Sequence, residues 1–179
     1  TLIDGDIISK RNLDRQLFKE DSIDRYKSDE LEKQLVTKAE VKSVHEYFLD
    51  GMEIKEGSTF FVAVDNHPAR LAVLNTVDRI GKACFMAANE YRDAEAYFYQ
   101  GKWKEGPLDP RVYYPDLLTD KSGDPTSPCT GEAMEASPQL AISNMMAASY
   151  CMWLYWFWSQ EARRLECVEA FPVKVSSNF

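Results

Sequence analysis

Short, almost wholly apolar runs alternate along the chain with longer segments whose apolar positions recur at helical spacing. The clearest runs are TFFVAV at 59–64, ACFMAA at 83–88 and AEAYFY at 94–99. Runs of this length and apolar content are typical of buried strands. Two of the other segments, 28–38 and 66–82, have the pattern of helices with one apolar side.

Three further segments are weaker strand candidates. Residues 1–4 fit the end of a strand, residues 41–48 a strand with mixed faces, and residues 171–175 an edge strand that tolerates a proline. Residues 106–138 carry most of the eight prolines and predict a long crossover loop. The alternation of strands and helices indicates a single α/β domain over residues 1–179 with a mostly parallel sheet.

Residues 136–160 contain no charged side chain and include the aromatic run WLYWFW. A segment of this length could span a bilayer. It is interrupted by polar residues, however, and the chain as a whole has a mean hydropathy of −0.41. We therefore expect no membrane span, but a helix buried in the core or at a subunit interface.

Charge and cysteine content narrow the possible functions. The net charge of −8 disfavours a nucleic-acid partner, which would need a basic surface. There is no CxxC pair and the two histidines are isolated, so no structural zinc site is predicted. No secretory leader precedes the four unpaired cysteines, and we expect a reducing, cytoplasmic location. Three cysteines lie in apolar runs and are predicted to be core residues: Cys84, Cys151 and Cys167.

Acidic residues follow two of the candidate strands, Asp4 after "LI" and Asp65 after "VAV". In open α/β sheets, ligands bind outside the carboxyl ends of the strands, and an Asp there commonly accepts hydrogen bonds from ribose hydroxyls. Alone, either Asp could simply cap a loop. The dense polar tract at 10–16, which follows Asp4 closely, makes a nucleotide site the stronger interpretation.

The tract DGDIISKRNLDRQ at 4–16 resembles the Asp-x-Asp, Asn-Leu-x-Arg-Gln signature of the ThiF/MoeB/HesA and ubiquitin-activating enzyme superfamily. The resemblance continues in order through Lys27 of IDRYKSDE and through VAVDNHPAR at 62–70. It ends in PCTGEAMEASP at 128–138, which is similar to the segment that holds the family's cysteine. The resemblance covers most of the chain and implies a Rossmann-like fold.

Members of this family use ATP to adenylate the C-terminal carboxylate of a ubiquitin-like or sulfur-carrier protein ending in Gly-Gly. The resemblance implies that Asp4 holds the ribose, Asn12 and Arg15 the triphosphate, Lys27 the phosphates and Asp65 a Mg²⁺ ion. Because both reactants are anionic, such groups would cancel charge and align the reactants. Weaker candidates for the same site are Asp6, Gln16, Asn66 and Arg70.

Cys129 lies in a polar loop, and the resemblance implies either a thioester with the activated carrier or a sulfur-transfer step. The thiolate is the nucleophile. The neighbouring Glu132 and Glu135 would disfavour it, whereas Lys121 would favour it. A covalent role and a purely structural one therefore both stay open.

Family members pair through their C-terminal halves, so a homodimer or heterodimer is expected. The alternative function is a catalytically silent scaffold subunit that dimerises with an active adenylating partner. A dehydrogenase that uses the same fold would have no evident use for the polar tract at 10–16.

The family also has a strand and a glycine-rich phosphate-binding turn before the position of Thr1. None of the eight glycines here forms a GxGxxG motif. We therefore expect a gap in the sheet, a chain that is part of a longer protein or is completed by other residues, and poor ATP binding by this chain alone.

Overall fold

The computed structural model describes residues 1–13, 16–35, 37, 39–89, 93–121, 141–161 and 174–178. The strands are β1 (Leu2–Ile3), β2 (Ser43–Val44), β3 (Thr59–Val62), β4 (Ala83–Asn89), β5 (Asp93–Tyr99) and β6 (Lys174–Asn178). The α-helices are α1 (Lys10–Leu13), α2 (Lys27–Gln34), α3 (His67–Arg79), α4 (Pro110–Tyr113), α5 (Asp116–Thr119) and α6 (Ala141–Glu161). Single 3₁₀ turns occur at Glu20–Ser22 and Gly101–Trp103.

The strands form two separate sheets. In the first, β1 and β2 pair in parallel. The second has the order β3-β4-β5-β6, with β3 and β4 parallel and the other two pairings antiparallel. Within the described part of the chain no strand pairing joins the two sheets.

The direction of β5 follows from the length of the connection that precedes it. Only residues 90–92 separate β4 from β5. A parallel partner needs a crossover of about a dozen residues or more, so a connection this short can only form an antiparallel pair. The α/β fold class is confirmed, with parallel strands at β1–β2 and β3–β4 and an antiparallel half at β5 and β6.

The second sheet is covered by a helix on each face, and its strands alternate accordingly. Cys84 and Met86 of β4 pack with Val73, Leu74 and Val77 of α3. On the opposite face, Ala83 and Phe85 pack with Cys151 and Leu154 of α6. This period of two explains the almost continuous apolar run at 83–88. Cys84 and Cys151 are buried as predicted, and Cys167 lies outside the described residues.

The helix α6 contains residues 141–160 of the apolar segment at 136–160, and the first five residues of that segment lie outside the described residues. One side of it is buried against the sheet, with Leu154 fully inaccessible. Among the helices that the structure describes, none has the combination of length and apolar character needed to cross a membrane. The other side carries large apolar side chains that are between 43% and 68% exposed: Ile142, Met145, Met152, Trp153 and Trp156.

The boundaries of the weaker elements differ from the sequence prediction. The strand expected at 41–48 is limited to the two residues of β2, because the chain then leaves the first sheet and Phe48 packs edge-on against Phe60 of β3 at 5.9 Å. Of the edge strand predicted at 171–175, residues 171–173 lie outside the described residues. The strand β6 lies at the edge of the second sheet and, in the part of the chain that the structure describes, pairs with β5 alone. The predicted crossover loop at 106–138 contains α4 and α5 in its first part, and residues 122–138 lie outside the described residues.

A group of buried charges attaches α4 to α3 and β5. We call Asp78, Tyr99, Asp109 and Arg111 the Arg111 cluster. Arg111 donates Nη1 to Asp78 Oδ2 at 2.8 Å, Nε to Asp109 Oδ1 at 2.8 Å and Nη2 to the Tyr99 hydroxyl at 2.6 Å. Burial opposes the charge, but the hydrogen bonds to the two carboxylates outweigh it and raise the pKa of Arg111. The cluster is therefore a structural ion-pair network.

Candidate functional site

The turn that leaves β1 is held by backbone and side-chain hydrogen bonds. Asp4 Oδ1 accepts the backbone N–H of Asp6 at 2.8 Å, which closes a tight turn around Gly5. The backbone N–H of Lys27 donates to the carbonyl of Asp6 at 3.0 Å. The Ser28 hydroxyl donates to the carbonyl of Asp4 at 3.3 Å. The start of α2 is thus fixed directly beside the end of β1.

This arrangement brings together three side chains that we call the Lys27 cluster: Asp6, Lys27 and Tyr47. Lys27 Nζ lies 2.6 Å from Asp6 Oδ2, and the Tyr47 hydroxyl donates to Asp6 Oδ1 at 3.0 Å. The side chains of Lys27 and Asp6 are 12% and 15% exposed. A charged pair with so little exposure is held in a definite position, but it can still be reached by a ligand.

Asp4 and Asp65 are close enough to interact electrostatically. Burial is the largest cause of the raised pKa of Asp4, while the hydrogen bond from Asp6 and the charge of Lys27 act in the opposite direction. The carboxylate of Asp65 also contributes to raising this pKa. The ends of β1 and β3 therefore present their acidic side chains to a common region, with Lys27 beside it.

The loop that carries Asp65 is fixed by its neighbours. Asn66 is the N-cap of α3, and its Oδ1 accepts the backbone N–H of Ala69 at 2.8 Å. Arg70 Nε donates back to the carbonyl of Val64 at 3.1 Å. His67 Nδ1 lies 3.1 Å from Asp120 Oδ2, so the start of α3 also contacts the residue that ends α5. Asn66 and Arg70 thus orient the turn in which Asp65 is exposed.

The polar tract at 10–16 is described only in part. Asn12 is 6% exposed, and its Oδ1 accepts the backbone N–H of Ser9 at 2.8 Å and the Ser9 hydroxyl at 3.2 Å. These bonds stabilise the turn that begins α1. Gln16 Oε1 is a buried acceptor that has no hydrogen-bond partner among the residues that the structure describes. Arg15 and Cys129 lie outside those residues, so their predicted roles stay predictions.

Tyr47 and the pairing of Asp6 with Lys27 were not identified from the sequence. Asp6 and Lys27 are 21 residues apart, and Tyr47 is 41 residues from Asp6. The only local signal for Tyr47 is its position near the end of the candidate strand at 41–48. No group of three or more His, Cys, Asp and Glu side chains within the described ranges could hold a metal ion. A cation at Asp65 would therefore need further ligands from a bound molecule or from water.

The fold has a counterpart among known structures. Over 84% of its length the chain superimposes on Escherichia coli MccB, whose crystal structure contains AMPCPP and selenomethionine-labelled MccA, with a TM-score of 0.51 and 19% sequence identity. MccB is an adenylyltransferase of the ThiF/MoeB family. The chain has a ThiF/MoeB-like fold. The fold indicated by the signature at 4–16 is thus confirmed.

The match covers 46% of the MccB chain, so this chain spans less than half of the length of MccB. No protein-family model matches the sequence. No curated protein matches it either.

Proposed function

We propose that this chain is part of an ATP-dependent adenylating enzyme that activates the C-terminal carboxylate of a peptide or of a ubiquitin-like or sulfur-carrier protein ending in Gly-Gly. The observation that carries the proposal is the placement of Asp4 and Asp65 after strands β1 and β3, each of which has a parallel partner, and of Lys27 at the start of α2. This is the side of an α/β sheet on which nucleotides bind. MccB, which has the same fold, was solved with an ATP analogue and MccA.

In this proposal the carboxylate oxygen of the carrier attacks the α-phosphorus of ATP. The bond between the α-phosphorus and the bridging oxygen breaks, and the products are an acyl-adenylate and pyrophosphate. Asp4 accepts hydrogen bonds from the ribose, and Lys27 binds the phosphates as a point charge. Asn12, Arg15 and Gln16 complete the binding of the triphosphate. These groups bring two anions together and offset the negative charge that moves to the leaving group.

The surroundings of Asp65 fit a Mg²⁺ ion. Asp65 is exposed and lies near the carboxylate of Asp4. The negative charge of Asp65 is one of the causes that raise the pKa of Asp4. A site of this kind, with one or two carboxylates, is how proteins bind Mg²⁺ when substrate phosphates and water supply the other ligands. When bound, the ion would supply charge neutralisation for the phosphate oxygens. Cys129 would take the activated carrier as a thioester only if the protein is a conjugating enzyme.

The test is ATP–pyrophosphate exchange with the full-length native protein. We expect exchange with a carrier or peptide that has a free C-terminal carboxylate and none with the same molecule amidated at its C-terminus. The Arg15→Ala variant should lose exchange, because the planar guanidinium would bind the phosphates through several donors. Absence of exchange with every Gly-Gly-ending carrier and with every peptide acid would contradict the proposal.

A scaffold subunit is the second candidate, and the apolar side of α6 favours it. Five large apolar side chains are exposed there in the described part of the molecule, an arrangement suited to contact with a second adenylating chain. If the chain is a scaffold, Arg15→Ala will leave the adenylation rate of the assembled complex unchanged. Trp156→Glu will then lower the mass of the complex, as measured by light scattering.

A further inference from the structure

The Lys27 cluster contains one residue for which the family signature provides no role. Tyr47 follows β2 and donates its hydroxyl to Asp6 Oδ1 at 3.0 Å, while Lys27 Nζ contacts the other oxygen at 2.6 Å. The carboxylate of Asp6 is therefore shared between two donors that approach from different elements. Because each carboxylate oxygen of Asp6 accepts a hydrogen bond from a different donor, the orientation of this carboxylate relative to Lys27 is fixed.

The ring of Tyr47 is itself held in place. A Cβ atom added at Gly5 would lie 2.9 Å from two carbons of this ring, so the ring is packed directly against the backbone of the turn between Asp4 and Asp6. Gly5 does not have a positive φ, and its absent side chain is what makes room for the aromatic ring. The turn and the ring position each other.

Asp6 can hold Lys27 in two ways, and Tyr47 selects between them. A carboxylate with no second donor is free to rotate and to accept the ammonium group on both oxygens, which withdraws that group from any other anion. A carboxylate that already accepts a phenolic hydroxyl is a weaker and directed acceptor, and the remaining two ammonium hydrogens can point elsewhere. Among the described residues, Asp6 Oδ2 is the one partner of the Lys27 ammonium group.

We propose that Tyr47 is a positioning residue, which acts through Asp6 to keep the Lys27 ammonium group directed at the phosphate tail of the bound nucleotide. The inference rests on the proposed function, since it requires a nucleotide in this site. It assigns to Asp6 the role of orienting Lys27 instead of touching the nucleotide. It also gives a reason for glycine at position 5.

The test compares the binding of ATP and of AMP to the full-length protein by isothermal titration calorimetry. In Tyr47→Phe we expect the affinity for ATP to fall about tenfold and the affinity for AMP to change by less than about twofold. This is the size of effect expected when one hydrogen bond to a charged group is lost, here the bond to Asp6 that orients Lys27 toward the phosphates. If Tyr47 has only a structural role, the variant will bind ATP and AMP more weakly by the same factor. Equal weakening, or no weakening of ATP, would overturn the inference.

Two further variants separate the hydroxyl from general effects. Gly5→Ala removes no polar group but displaces the ring of Tyr47 and with it the hydroxyl, so it should reproduce the selective loss of ATP binding. Tyr114→Phe removes another hydroxyl that donates to a carboxylate at 3.0 Å, that of Glu95, and it should leave the ratio of ATP to AMP affinity unchanged. A selective loss in Tyr114→Phe would count against the assignment.

If the wild-type protein binds neither nucleotide, the proposed function fails together with this inference; if it binds both and Tyr47→Phe behaves like wild type, only the inference fails.

Discussion

The Lys27 cluster and the Arg111 cluster are both groups of partly or fully buried charges, but their hydrogen bonds are distributed differently. Arg111 donates from Nε, Nη1 and Nη2 to three different residues of its own cluster. The ammonium group of Lys27 donates one hydrogen bond among the described residues, to Asp6. The donors of Arg111 are thus used within the protein, whereas most of those of Lys27 remain for a ligand.

Their positions agree with this difference. The Arg111 cluster joins α3, β5 and α4, where Asp109 is 1% exposed and no ligand could reach it. The Lys27 cluster lies where the chain leaves β1 and enters α2, in the region that Asp4 and Asp65 share. We therefore distinguish a charge network that stabilises the fold from one that is available for binding by the number of N–H donors of the cation that have no acceptor among the described residues.

The largest effect should follow from breaking the Arg111 cluster. Arg111→Met leaves Asp109 buried without its cation and leaves Asp78 with Lys104, which is 3.5 Å away and 53% exposed, and we expect a loss of about 3–5 kcal/mol in the free energy of unfolding. Urea denaturation measures it. The matched control is Arg79→Met, which breaks the pair between Arg79 and Asp50, whose side chains are 48% and 49% exposed. If the two variants lose equal stability, the Arg111 cluster is not a structural network.

Removing Lys27 should affect binding more than stability. We expect Lys27→Met to weaken ATP binding by roughly 10- to 100-fold, since a charge-assisted contact to phosphate is lost. Its free energy of unfolding should fall less than that of Arg111→Met. Lys33→Met is a suitable control, because Lys33 also lies 2.6 Å from a carboxylate, that of Glu30, at a site away from the Lys27 cluster. Unchanged ATP affinity in Lys27→Met would remove the distinction between the two clusters.

Asp4 should show opposite effects on binding and stability. Burial raises the pKa of Asp4, so its ionised form disfavours the folded state and the associated stability is lost as the pH rises through the raised pKa. Asp4→Asn should therefore melt at a higher temperature than wild type at pH 7, with the difference vanishing below the ordinary Asp pKa of about 3.9. Nucleotide affinity should fall by about tenfold through loss of the ribose contact. A melting temperature that is lower at pH 7 would contradict this account.

The smallest effect concerns Glu30, which belongs to neither cluster. Hydrogen bonds from Lys33, and also from Arg25 and Ser22, lower the pKa of Glu30 to about 2. A lowered pKa contributes stability above the ordinary value of 4.5, and this contribution is lost as the pH falls toward 2. Glu30→Gln should be slightly less stable than wild type at pH 7, and the two melting curves should converge between these pH values. Because its charged partners Lys33 and Arg25 are 59% and 52% exposed, the change should be small. Nucleotide affinity should not change.

Local pattern was sufficient to predict the central part of the fold. The predicted segments 59–64, 83–88 and 94–99 agree with the bounds of β3, β4 and β5 to within two residues, because a strand that is covered on both sides leaves a clear apolar run. The predicted helix at 66–82 contains α3, whose N-cap is Asn66. Strand direction was harder to predict, because an apolar run has the same pattern in a parallel and in an antiparallel strand. The direction of β5 depends on the short connection at 90–92.

The sequence named candidate residues for the site but not the contacts between them. The resemblance that begins at 4–16 and continues to Lys27 assigned Asp4, Asp6 and Lys27 to one site, and these three residues lie near one another. That Asp6 contacts Lys27, and that Tyr47 contacts Asp6, depends on how the first sheet and α2 pack, which no local pattern contains. Asn12 and Asn66 show the converse: an expected ligand residue can also cap the backbone of the turn in which it lies.

The distribution of the four tryptophans has a practical consequence for spectroscopy. Trp103 and Trp158 pack around Phe98 on the face of the second sheet that α6 covers, and Trp153 and Trp156 lie on the exposed side of α6. Intrinsic emission should therefore report the attachment of α6, with two indoles partly shielded from an aqueous quencher and two more exposed to it. An indole introduced at Tyr47 would be needed to observe the first sheet by fluorescence.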